Sequence, residues 1–90
     1  MTIEHDASWR PTLCRHAQLR AASGARPDLL VLPERVIRLS PSAGAILARC
    51  TGSLTIGQMV ADLEAQFHRG DLTGDVTDFV SRAVGLGWVR

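Results

Sequence analysis

The apolar positions change period along the chain, and each change marks an element. Between Leu13 and Ala21, the residues Leu13, Ala17, Leu19 and Ala21 alternate with His16, Gln18 and Arg20. This period-two rhythm predicts a first strand, weakened by Arg15 on the apolar side. Ala22–Asp28 is a connecting loop. Leu29-Leu30-Val31-Leu32 is a short run of strand formers, Pro33-Glu34-Arg35 supplies a turn, and Val36-Ile37-Arg38-Leu39 resumes the strand. Alternation sets Val36 and Arg38 on one face and Ile37 and Leu39 on the other, with either pair able to face the core.

The period then switches to that of a helix. Ser40-Pro41 offers an N-cap and a proline at the first helical position, where its missing N–H costs nothing. Ala43, Ile46, Leu47 and Cys50 follow at i, i+3, i+4 and i+7. Thr51-Gly52-Ser53 stops this helix, with Gly52 placed for a C-terminal cap. Thr55 and Gln58 form a capping-box pair for a second helix, whose stripe is Ile56, Met59, Val60, Leu63 and Phe67. His68-Arg69-Gly70 ends it. A third stripe runs through Leu72, Val76, Phe79, Val80 and Ala83; Gly85 and Gly87 break it, and Trp88-Val89 closes the chain. The order predicts one α+β domain, three strands and then three helices, each helix with one apolar face. Residues 1–12 are polar and unpatterned, and are expected to form a flexible N-terminal arm whose large apolar residue is Trp9.

Composition narrows the classes. Ninety residues with 46% hydrophobic content suffice for one small core, burying roughly 60–65% of the unfolded chain's surface. The net charge is +1 and all ten basic residues are arginine, whereas a general binder of phosphate backbones needs a basic excess. Cys14 and Cys50 lie far apart without a C-x-x-C pattern, and are expected to be free thiols in a reducing cytoplasm rather than a disulfide. MTIEHDASWRP lacks the pattern of a signal peptide. No apolar run approaches the ~20 residues of a membrane span, so the expectation is a soluble cytoplasmic protein.

Signs of catalysis are absent. There is no G-x-S-x-G, no H-E-x-x-H and no glycine-rich phosphate loop. Cys14 and His16 would share a face of the first strand and, with His5 or His68, form a metal set; a half-buried thiol beside a surface histidine is the simpler reading. Asp62 and Glu64, two apart on a helix, point to different sides and are no general acid/base pair. The expectation is no enzyme, no metal and no cofactor.

The run Leu29–Val31, then Pro33-Glu34-Arg35-Val36, Leu39 and Ser40-Pro41-Ser42-Ala43, resembles the PqqD family. So do Ile46-Leu47, Cys50-Thr51-Gly52, Thr55-Ile56, Asp75-Val76, Phe79-Val80 and Gly87-Trp88-Val89. The resemblance covers residues 13–90, which would then be a PqqD-like peptide-binding domain. It implies a winged helix-turn-helix-like fold, the RiPP recognition element, with a three-stranded antiparallel sheet followed by a three-helix bundle. It implies a peptide chaperone of pyrroloquinoline quinone (PQQ) biosynthesis, binding the leader of a ribosomally made precursor peptide. The partner would be the radical S-adenosylmethionine enzyme that crosslinks a glutamate and a tyrosine of that precursor. Carried over to this chain, the leader would add as a strand along Val36, Ile37, Arg38 and Leu39, in a groove shared with Val76, Phe79, Val80 and Ala83. Arg35 and Arg38 flank the edge and favour carboxylates on the peptide. The loop Ala22–Asp28 departs from relatives in lacking aromatic residues.

Two other functions remain open at this point. One is a winged-helix DNA-binding domain, opposed by Asp71, Asp75 and Asp78, which with Arg82 would stripe the third helix and meet phosphate repulsion. Asp78 and Arg82 are spaced for an i, i+4 pair. The other is a homodimeric adaptor that uses the same free edge to pair with its copy.

Overall fold

A computed structural model describes residues 8–90. Strands β1 (Gln18–Arg20), β2 (Leu29–Val31) and β3 (Val36–Arg38) form an antiparallel sheet in the order β1-β2-β3. Helices α1 (Pro41–Ala48), α2 (Ile56–Phe67) and α3 (Thr73–Gly85) follow. This is the α+β order that the change of period predicts. The helices bury Ile46 and Leu47 of α1, Met59 and Leu63 of α2, and Val76, Val80 and Ala83 of α3 against Leu30, Leu32 and Leu39 of the sheet side.

The start signals form as their chemistry requires. Ser40 Oγ accepts the Ala43 N–H at 3.2 Å with Pro41 in the first turn. Thr55 and Gln58 make a complete capping box, with Thr55 N–H donating to Gln58 Oε1 at 2.9 Å and Gln58 N–H to Thr55 Oγ1 at 3.2 Å. Helix α3 has no side-chain cap of its own at Leu72. Glu64 of α2 reaches across instead, its Oε2 accepting the Leu72 N–H at 3.1 Å. Asp62 points the other way, 3.5 Å from Arg49 Nε, so these two carboxylates do diverge.

Several local expectations are corrected. The first strand is shorter than Leu13–Ala21, because Arg15 and His16 form a turn closed by Ala17 N–H on the Cys14 carbonyl at 3.0 Å. Leu13 pairs instead with Val89, and Thr12 with Thr51. Cys14 and His16 therefore share no strand face. Thr12 exchanges bonds of 2.9 and 2.8 Å with Arg90, while Leu13 N–H donates to Cys50 at 3.0 Å, so this segment is clamped between the α1–α2 loop and the chain's end. Pro11 is fully buried and Trp9 packs against the core. Of the expected arm, residues 9–12 are thus held to the domain, and residues 1–7 lie outside the described part.

Gly52 is not the cap of α1, which ends at Ala48 with Arg49 closing its last turn. Its φ is +82°, and a Cβ there would lie 2.7 Å from Thr12 Oγ1. Glycine is needed so that the clamped segment can approach. The expected pair Asp78–Arg82 does not form within 4 Å; Arg49, which caps the end of α1, and Asp62 of α2 are the ion pair among the described residues. The Arg49 guanidinium also bonds the Ala45 carbonyl at 2.9 Å and Gln66.

One contact fixes the sheet against the helices. The Asp28 carbonyl accepts the Leu39 N–H at 2.9 Å, and Asp28 Oδ1 accepts the Ala22 N–H at 2.6 Å. The same side chain sits against Gly44, where a Cβ would fall 2.0 Å from Oδ2. Only a residue without a Cβ lets α1 lie this close. Both cysteines are free, Cys14 half-buried and Cys50 buried with its thiol donating to the Ile46 carbonyl at 3.5 Å.

Two outcomes follow from these contacts. Gly44→Ala is expected to destabilise the domain by about 1–3 kcal/mol, the range for overpacking, as a lower urea midpoint at unchanged slope. Burial raises the Cys50 pKa from 9.0 to about 12. Its neutral form therefore stabilises the fold fully below the unfolded pKa, and this is lost as pH rises from about 9 towards 12. Thiol alkylation at pH 8 should modify Cys14 first and Cys50 only on unfolding, which mass mapping of the alkylated peptides would read.

Candidate peptide-binding site

The register of the sheet decides which backbone groups are free. Leu29 pairs with Arg38, Leu30 with Ile37 and Val31 with Val36. At either end the pairs Leu32–Arg35 and Asp28–Leu39 are hydrogen-bonded, at 2.8 and 2.9 Å. Bonded and non-bonded pairs alternate in an antiparallel ladder. Arg35, Ile37 and Leu39 therefore direct their backbone groups to β2, and Val36 and Arg38 direct theirs outward. Among the described residues no strand lies beyond β3, so this edge presents two N–H and two C=O groups in a row.

Side-chain burial follows the same alternation. Val36 is 57% exposed and Arg38 is exposed, whereas Ile37 is half-buried on the core and Leu39 is buried. The Ile37/Leu39 face is the inner one. Arg35 is exposed in the turn, its carbonyl accepting the Leu32 N–H. On α3, Val76, Val80 and Ala83 are buried core residues, and Phe79 is half-buried.

A cavity of about 420 Å³ opens where α1 begins, α2 ends and α3 starts. Buried Ile46, Leu63, Leu72 and Val76 form its base, with Ala43, Phe67 and Phe79 as walls. Exposed Ser40, Ser42, Arg69 and Asp75 rim it. The structure thus brings Val76 and Phe79 into one cavity that begins two residues beyond β3, while Val80 and Ala83 do not line it. Apart from Val76 and Phe79, none of its lining residues is among the positions the family resemblance implies for the peptide, the aromatic Phe67 and the charged rim residues Arg69 and Asp75 included. Phe67, an aromatic closing the α2 stripe just before His68 turns left-handed (φ 53°), was the available signal.

The opposite edge is poorer. By the same alternation Gln18 and Arg20 bond to β2, leaving Leu19 alone within β1 to face outward. A depression of about 350 Å³ beside it is lined by Gly44, Ala45 and Ala48 with Asp28, Arg49 and Gln66, offering less apolar depth.

Charge is divided between the elements. Arg38 stands exposed on β3 and Arg35 in the turn before it, and Asp75 and Asp78 are exposed on α3, with Asp71 two residues before the helix. A helix face with these carboxylates is repelled by phosphate. Among the described residues no group of three or more His, Cys, Asp or Glu is placed to hold a metal ion; His5 lies outside them. No described helix is long and apolar enough to cross a membrane.

Residues 29–89 match the family described as Coenzyme PQQ synthesis protein D (PqqD). The chain is 36% identical over 63 residues to the "PqqA binding protein" of Stutzerimonas stutzeri (strain A1501), covering 69% of this chain and 68% of that protein. It is 31% identical over 62 residues to the protein of the same name from Methylococcus capsulatus, covering 69% and 67%. With that of Azotobacter vinelandii the identity is 30% over 81 residues, covering 89% and 88%. No solved structure matches the chain at a significant level.

The opposed faces of β3 make a direct stability prediction. Val36→Asp should leave the thermal midpoint within a few degrees, since the side chain already meets water. Ile37→Asp places a carboxylate on the core and should cost about 2–5 kcal/mol or unfold the domain. Calorimetry of both variants checks the assignment of faces.

Proposed function

Because this chain belongs to the PqqD family, described as Coenzyme PQQ synthesis protein D, we propose that it binds the precursor peptide PqqA by adding it as a strand to the outer edge of β3. The observation that carries this reading is the pair of outward-facing residues, Val36 and Arg38, on a strand that ends two residues before Ser40, which lines the apolar cavity at the α1–α3 junction. The relatives named for binding PqqA support the choice of ligand. On this reading the chain is a non-catalytic peptide chaperone of the RiPP recognition type, acting in the cytoplasm. It presents the bound leader to the radical S-adenosylmethionine enzyme, which supplies all the redox chemistry.

Magnitudes show how the work is divided. Strand addition satisfies two N–H and two C=O groups of β3, and each hydrogen bond contributes about 0.5–1.5 kcal/mol net. Association costs an estimated 4–15 kcal/mol in lost freedom, so backbone bonds alone do not hold a peptide. They set its direction and register. Affinity has to come from apolar peptide side chains, each leucine-sized one adding about 1.5–3 kcal/mol when buried.

Proline substitution tests the edge without touching the core. The Val36 and Arg38 N–H groups take no part in the β2 ladder, so Val36→Pro and Arg38→Pro leave every sheet bond in place and remove one outward donor each. Both variants should keep the far-ultraviolet dichroism of the parent and lose at least tenfold in affinity for synthetic PqqA in isothermal titration. Unchanged affinity in both folded variants would refute strand addition at β3.

A further inference from the structure

The register that frees the β3 edge also dictates the pattern of a peptide lying on it. Residues directly opposite one another across a ladder place their side chains on the same face of the sheet. A peptide residue opposite Leu39 or Ile37 therefore points inward, and the one between them, opposite Arg38, points outward. The inward position beside Leu39 is the one nearest the cavity, because the next residue, Ser40, lines it. About 420 Å³ with an apolar base accommodates a leucine or an aromatic side chain.

The outward position meets a different environment. Across the sheet, Arg38 stands beside Leu29 and Leu29 beside Arg20, a row of two cations around one apolar residue. No carboxylate lies within 4 Å of Arg38 among the described residues. Resting on the strand-addition reading above, we infer that the site selects a three-residue element in the peptide: a large apolar residue, an acidic residue, then a second apolar residue. One apolar side chain fills the cavity behind Ser40 and Ser42, the acid pairs with Arg38, and the other apolar side chain covers Ile37. The acid meets Arg38 whichever way the peptide runs, since it is the central residue of the three.

The test is an alanine scan of synthetic PqqA against the full chain by isothermal titration, with two variants of the protein. Arg38→Glu changes an exposed side chain, and Ser42→Phe fills the cavity from its exposed rim while leaving the Ser40 cap intact. The scan should find its three largest losses, each tenfold or more, at consecutive apolar, acidic and apolar positions. Arg38→Glu should weaken the parent peptide at least tenfold and be rescued by a peptide with lysine at the acidic position. Ser42→Phe should abolish the loss at one apolar position only. Tight binding with losses scattered elsewhere, or without charge-swap rescue, overturns the inference and leaves strand addition standing. No binding of PqqA at all overturns both. A concentration-dependent mass in sedimentation that Ser42→Phe abolishes, with peptide affinity unchanged, would give the cavity to a second copy and overturn the inference as well.

Discussion

The fold turns on the place where Asp28 meets the start of α1. Its carbonyl holds Leu39, its carboxylate holds Ala22, and its side chain occupies the space that a Cβ on Gly44 would need. One residue thus ties the ends of β1 and β3 to a helix that begins two residues after Leu39, a strand-to-helix junction without slack. Ser40 and Pro41 complete it, since the N-cap hydroxyl and the proline allow the chain to pass from extended to helical within one residue. The rest of the domain is arranged around this joint, with α2 tied to α1 through Arg49 and Asp62 and to the start of α3 through Glu64 and Leu72.

The consequence for function is geometric. A rigid joint holds the β3 edge and the cavity behind Ser40 in fixed relation, so under the proposed strand addition a peptide and its anchoring side chain would meet a site already formed. Preorganisation of this kind lowers the ordering cost of binding on the protein's side. On the same proposal, β3 is the better edge. Both are edges, but β3 offers two outward residues and an apolar cavity at its end, whereas β1 offers Leu19 beside a depression edged by Asp28, Arg49 and Gln66.

Local signals in the sequence were legible wherever a few neighbouring residues decide the outcome. The β2–turn–β3–α1 unit, the Thr55–Gln58 capping box and the apolar faces of α2 and α3 all follow from nearest-neighbour chemistry. What escaped depends on contacts between distant parts. Leu13 fits the alternation that ends at Ala21, yet it pairs with Val89, seventy-six positions on by sequence number (89 − 13). Gly52 looked like a helix cap because glycine after an apolar stripe usually is one, but its role is to admit Thr12. The two faces of β3 could be separated by alternation, while burial against the helices was needed to say which is inner. The cavity was invisible for the same reason, being made where the ends of three helices converge and share Ala43, Phe67 and Phe79 as its walls.

The central claim is that the outward groups of Val36 and Arg38 receive the peptide's backbone. Amide hydrogen exchange resolved by residue, with and without saturating PqqA, tests it most directly. The account predicts that the Val36 and Arg38 amides exchange rapidly in the free protein and slow strongly on binding, while the Ile37 and Leu39 amides, already bonded to β2, are slow in both states. Saturable binding that leaves the Val36 and Arg38 amides exchanging as fast as before would contradict it.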